Sequence, residues 1–112
     1  MANQSKVVIS TAGPFALYGT PLVNCCAAYG TDYVDITGEV DWVRHTICKF
    51  EDLAVKTGAR IISCCGADSI PWDLNVFLMN EKLKKENPGE ELRKVLFLDE
   101  MKGSFSGGTF AS

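Results

Sequence analysis

The chain has 112 residues, of which 46% are hydrophobic and 22% charged, with a net charge of −3. This is the make-up of a small globular domain, or part of one, with enough apolar residues for a modest core. The acid excess, with Lys84-Lys85 set among Glu81, Glu86, Glu90 and Glu91, excludes nucleic acid as a main partner. No apolar run is long enough to span a bilayer and no secretory leader heads the chain, so an intracellular, cytoplasmic location is expected.

After a polar start, Lys6 to Thr11 reads as a strand that is apolar nearly throughout, as in a sheet covered on both faces. It breaks at Gly13-Pro14, and the stretch Ala12 to Gly19 reads as a loop. Thr20 suits a helix N-cap and Pro21 a first helical position, which predicts a helix from there to about Tyr29, closed by Gly30. Asp32 to Thr37 is the second expected strand, followed by the loop Gly38-Glu39. Val40, Val43, Ile47, Phe50 and Ala54 then recur at three and four residues and predict an amphipathic helix, with Lys56 in its last turn and Gly58 at its end.

Ala59 to Cys65 is the third expected strand and Gly66 to Pro71 the third loop. A third helix follows from Pro71, with Leu74, Phe77, Leu78 and Leu83 on one face, up to the turn Asn87-Pro88-Gly89. Val95 to Leu98, extended toward Lys102, is the expected fourth strand, and the glycine-rich run 103–109 carries no helix pattern. Strands alternating with helices mean an α/β fold, a parallel sheet with flanking helices joined by right-handed crossovers.

In such a sheet every loop that follows a strand and precedes a helix projects from the same edge, where ligands bind. Gly13, Gly38 and Gly66 are therefore expected together, with Thr11, Tyr18, Asp35, Glu39, Asp68 and Ser69 supplying polar groups beside them. Thr20, Asp68 and Ser69 also suit simple helix capping, and Glu39 suits the favourable field at a helix start. Asp35 is different, because a carboxylate inside a strand needs a partner or water. Tyr18 and Trp72 read equally as packing residues, and His45 falls off its helix's apolar stripe, as a solvated side chain would. The five cysteines include two adjacent pairs, Cys25-Cys26 and Cys64-Cys65, in apolar segments, with Cys48 alone. They have no metal-ligand spacing, so no metal and no disulfide is expected, only small side chains in a reducing compartment. Neither a Gly-x-Gly-x-x-Gly fingerprint nor a Walker A sequence occurs.

Three ordered motifs carry a resemblance. They are Ser10-Thr11-Ala12-Gly13-Pro14-Phe15-x-x-Tyr18-Gly19, then Tyr33-x-Asp35-x-x-Gly38-Glu39, then Cys65-Gly66-x-Asp68-Ser69-Ile70-Pro71-x-Asp73-Leu74. Together with Ser106-Gly107-Gly108-Thr109, they resemble the saccharopine dehydrogenase-like oxidoreductases, and within that group the trans-acting enoyl reductases most. The resemblance implies an incomplete Rossmann-type nucleotide domain over residues 1–102, the second half of the full domain, with 103–112 beginning the connection to a second, substrate and dimerisation domain. It implies NADP or NAD as cofactor of a longer parent whose glycine fingerprint lies upstream. Thr11, Ala12, Gly13 and Pro14 would pass the nicotinamide half, and Asp35, Gly38, Glu39, Ser69 and Pro71 would border the substrate.

The implied reaction is hydride transfer to a small, lipid-like substrate, which needs a proton donor beside the acceptor; Tyr18 or Asp68 is the choice. A homodimer through the second domain, and association of the parent with a membrane or lipid droplet, follow from the same likeness. The rival expectation is a non-enzymatic interaction or regulatory fragment that keeps the fold without the cofactor. A flavodoxin-like phosphate binder is weaker, because no phosphate-loop glycine pattern is present.

Overall fold

The computed structural model describes residues 1–100, in two compact units, Met1–Gly66 and the residues from Ala67 onward. The first unit holds a short 3-10 turn (Ala2–Gln4), β1 (Val7–Ser10), α1 (Phe15–Tyr29), β2 (Asp32–Asp35), α2 (Val40–Thr57) and β3 (Ile61–Ile62). The strands form one parallel sheet in the order β1-β2-β3. Ile9 pairs with Val34, and Val34 pairs with Ile62, so these three side chains make one row across the sheet. The α/β class and the parallel sheet with flanking helices expected of an incomplete Rossmann-type segment are what the chain forms.

Alternation along each strand decides the core. Val8 and Ser10 of β1 and Tyr33 and Asp35 of β2 are buried, whereas Val7 and Ile9 are exposed. Val8 and Tyr33 pack in one cluster with Phe15, Val23, Cys26 and Ala27 of α1 and with Trp42, Phe50 and Ala54 of α2. The two helices meet at Gly19, where an added Cβ would lie 2.6 Å from Cζ2 of Trp42. Phe15 and Trp42 face each other with ring centroids 5.6 Å apart, and the Trp42 indole N–H donates to Thr20 Oγ1. Thr57 Oγ1 donates to the Ala27 carbonyl and ties the other ends of the two helices together. Gly30 and Gly58 stop their helices in the left-handed region, at φ of 68° and 81°, as C-terminal glycines do.

Several elements differ from the sequence reading. α1 begins at Phe15, so Tyr18, Thr20 and Pro21 lie inside it, Thr20 is no N-cap, and the first loop shrinks to Thr11–Pro14. The buried stripe of α2 is Trp42, Thr46, Phe50 and Ala54; Val40 and Ile47, expected inside, are exposed. β2 ends at Asp35 rather than Thr37, and only Ile61 and Ile62 of the expected third strand are paired. Of the five cysteines only Cys26 is buried; Cys25 and Cys48 are exposed and Cys64 and Cys65 half-buried. Burial pushes the Cys26 thiol up from its ordinary pKa, and Cys25 beside it adds to the shift.

At the amino-terminal edge of the sheet, Arg60 grips Asp32. Its backbone N–H donates to Asp32 Oδ1 at 2.9 Å and its guanidinium reaches both carboxylate oxygens. The Arg60 guanidinium holds the Asp32 carboxyl below the usual carboxylate range.

The second unit is built on α3 (Ile70–Glu86), which has Ser69 at its N-cap position and Pro71 in its first turn. None of its residues is buried; Leu74, Phe77 and Leu78 are more than half exposed. The expected strand at Val95 to Leu98 has no strand partner among the described residues, and a strand does not persist without one. Phe97 packs edge-on against Trp72 instead, with ring centroids 5.0 Å apart. The expected connection at 103–112 and the motif at 106–109 lie outside the described residues.

Candidate functional site

Because β1, β2 and β3 are parallel, Thr11–Pro14, the loop after Asp35, and Cys64-Cys65-Gly66 leave the sheet at the same edge. Two carboxylates knit these three segments together. Asp35 closes β2 with a side chain that is 1% exposed. Its Oδ1 accepts from the backbone N–H of Thr37 and of Cys64, both at 3.1 Å, and its Oδ2 accepts from Ser63 Oγ at 3.1 Å. Its carbonyl accepts from the Cys65 N–H at 2.7 Å. Asp35 thus holds the second loop to the third, and this is the partnership that a carboxylate in a strand requires. Cys64 takes a positive φ of 61°, a conformation uncommon for a residue with a side chain, at the point where the chain turns off β3.

Glu39 holds the second loop to the first. Its two carboxylate oxygens accept from the backbone N–H groups of Phe15 and Ala16, each at 2.7 Å. Those are the first two residues of α1, whose N–H groups have no partner within the helix. The Glu39 N–H in turn donates to Thr37 Oγ1 at 3.0 Å, and Thr37 is itself 1% exposed. A continuous chain of hydrogen bonds therefore runs from α1 through Glu39, Thr37 and Asp35 to Ser63 and Cys64.

Beneath this edge sits the Tyr33 phenol, fully buried, whose hydroxyl completes no hydrogen bond of good geometry. Burial pushes its pKa well above that of a free phenol, and the negative charge of Asp35 pushes the same way. It stays neutral.

The residues chosen from sequence fall into four sets. Thr11, Ala12 and Gly13 form an exposed lip, ending in a cis Gly13-Pro14 bond. Tyr18 stands on the first turns of α1 with its side chain 69% exposed. Asp35, Gly38 and Glu39 belong to the same edge, but the carboxylates of Asp35 and Glu39 are engaged with the protein itself. Asp68, Ser69 and Pro71 lie at the start of α3 in the second unit; Asp68 is exposed, and Ser69 makes no side-chain capping bond. His45 is exposed, as its place off the stripe requires.

Thr37 and Ser63 were not singled out by the sequence reading. Asp35-x-Thr37 has the spacing of a side chain accepting from the N–H two residues on, which is readable locally. Ser63 required the β2–β3 register. A groove of about 370 Å³ runs between α2 and β3, lined by Val43, Ile47, Phe50, Val55, Ile61 and Ser63 among others. None of the residues chosen from sequence lines it.

Comparison with known proteins places this α/β segment. A protein of Mycobacterium tuberculosis (strain H37Rv) named as a trans-acting enoyl reductase is 45% identical to the chain over 112 residues, all of the chain and 27% of that protein. The trans-acting enoyl reductases of Mycobacterium bovis (strain BCG Pasteur) and Mycobacterium ulcerans are 43% and 42% identical over 113 residues, again all of the chain and 27% of each relative. The chain is thus homologous, end to end, to one segment of these enoyl reductases and spans about a quarter of their length. No family model and no solved structure matches it. No helix among the described residues is long and apolar enough to cross a membrane.

Proposed function

We propose that this chain is the second half of the nucleotide domain of an NAD(P)-dependent oxidoreductase in the saccharopine dehydrogenase-like group, one that transfers hydride to a lipid-like or other small substrate. The observation that carries the reading is the end-to-end identity of 42–45% with trans-acting enoyl reductases. The parallel sheet, with its strand-to-helix loops on one edge, is the framework such a domain requires.

The described residues do not fit a dinucleotide's pyrophosphate. The chain has no glycine fingerprint, and the first N–H groups of α1 are taken by Glu39. In this reading the pyrophosphate and adenosine are held by polypeptide beyond this stretch. Thr11 to Pro14 form a wall beside the nicotinamide end. Tyr18, an exposed phenol on the first turns of α1, is the proposed proton donor, with Asp68 as the second choice. Asp35 and Glu39 act on the substrate side by fixing the loops rather than by direct contact.

Calorimetric titration tests the reading. NADPH is expected to bind the 112-residue chain negligibly. A full-length relative carrying the same segment should bind it in the micromolar range, on the order of −8 kcal/mol. Micromolar binding by the chain alone would overturn the partial-domain reading. The engagement of α1's N–H groups by Glu39 also favours a second reading, a cofactor-free interaction fragment. Silence in the full-length relative as well would select it.

A further inference from the structure

We infer that Glu39 is a specificity-determining residue that acts as a built-in anion. By occupying the amino end of α1, it bars phosphate from that point, so a ligand group that meets the start of α1 is uncharged or cationic.

The start of a helix is ordinarily attractive to phosphate, because it presents unpaired N–H groups and a partial positive charge. At α1 both conditions are cancelled by one side chain. Glu39 reaches across from the loop after β2 and takes the Phe15 and Ala16 N–H groups with one oxygen each, at 2.7 Å. Such charge-assisted pairs are short and strong. The carboxylate is also held in place: its own N–H is fixed on Thr37 Oγ1, and Thr37 is fixed on buried Asp35. A phosphate would have to displace a group that is tethered, already aligned and loses little freedom by staying.

The other two helices repeat the sign. α2 carries Asp41 in its first turn, and α3, in the second unit, carries Asp73 in its own. Each of the three helix starts described thus has a carboxylate at it, although α1 borrows its own from the loop after β2. The inference stands apart from the redox reading, since it concerns the helix terminus whether or not a nicotinamide is bound.

The test is an amide NMR titration of the 112-residue chain with inorganic phosphate and with pyrophosphate at constant ionic strength. In the wild-type chain the Phe15 and Ala16 resonances should show no saturable shift. In Glu39→Ala the same two amides should shift saturably, with an apparent affinity for pyrophosphate raised at least about tenfold. Glu39→Gln keeps the size and one carbonyl acceptor without the charge, and should show a smaller gain at the same amides. It carries the test alone if the alanine variant fails to fold. Asp41→Asn, which touches neither amide, should leave both unresponsive. Saturable binding at Phe15 and Ala16 in the wild-type chain would overturn the proposal. So would no gain in every folded Glu39 variant, or an equal gain in Asp41→Asn.

Discussion

The two faces of the sheet carry similar side chains and meet opposite surroundings. On one face Val8, Tyr33 and Asp35 are 8%, 0% and 1% exposed. On the other Val7, Ile9 and Ile62 are 49%, 73% and 53% exposed, although all three are aliphatic. Strand composition does not explain this, since a parallel sheet is apolar on both faces as a rule. Crossover handedness does. β1-α1-β2 and β2-α2-β3 move across the sheet in the same direction, and two right-handed crossovers moving the same way put both helices on the same face. The covered face is therefore fixed by this chain's own connectivity. The bare face has the residues of a buried surface, and no helix among the described residues of the first unit lies over it. On the covered side Asp35 is 1% exposed, with partly buried Ser63 donating to its carboxylate.

The largest expected effect comes from breaking the covered face at its polar end. Asp35→Ala removes the acceptor of two backbone N–H groups and of Ser63 Oγ at a site that is buried at Asp35 and Thr37 and partly buried at Ser63 and Cys64. Each donor left unsatisfied costs roughly 1–3 kcal/mol, so a total loss of about 3 kcal/mol or more is expected in urea unfolding. Asp35→Asn keeps an acceptor and should lose about half as much. A loss below about 1 kcal/mol for the alanine variant would mean that water replaces the carboxylate and that the edge is open.

A smaller effect is expected where the covering helices touch. Gly19→Ala gains about 1 kcal/mol of helix propensity. It also places a methyl group 2.6 Å from Trp42 Cζ2, and overpacking of this kind costs about 1–3 kcal/mol. A net loss of about 1 kcal/mol should follow. Trp42→Phe in the alanine background should recover part of it, in a double-mutant cycle with a favourable coupling term. Additive losses would mean that the two helices separate rather than clash.

These two sites also show where the sequence was legible. β1, β2, the closing glycines Gly30 and Gly58 and the common edge of the loops all follow from local pattern, because short β-branched runs and glycine's left-handed freedom are local properties; that only one face of β1 would be covered did not. The need of Asp35 for a partner was legible too, although the identity of Ser63 depended on register. The start of α1 was not. Thr20-Pro21 reads as a helix start because the signal is local, whereas the true start at Phe15 is capped by Glu39 from 24 residues away. The stripe of α2 was misread for a related reason: Trp42, Thr46, Phe50 and Ala54 recur every four residues, but Thr46 is polar and its hydroxyl is satisfied by the Val43 carbonyl within the helix. A single buried threonine shifted the apparent stripe to its aliphatic neighbours.

The smallest effect separates the two faces at adjacent residues of one strand. Val8 and Ile9 are neighbours in β1, one on the covered face and one on the bare face. Threonine preserves the β-branching and the strand preference of both, so the substitution changes polarity and, at Ile9, also removes the exposed Cδ1 methyl. At Val8 it buries a hydroxyl among apolar groups, and Val8→Thr should cost about 1–2 kcal/mol. At Ile9, which is 73% exposed, the same exchange should leave unfolding free energy within about 0.5 kcal/mol. Its visible effect should be in solution behaviour: sedimentation velocity should show less self-association, because an apolar row and an open strand edge are what invite pairing. If Ile9→Thr costs as much as Val8→Thr at a protein concentration where the chain is monomeric, the second face is covered within the monomer, and the contrast between the two faces fails.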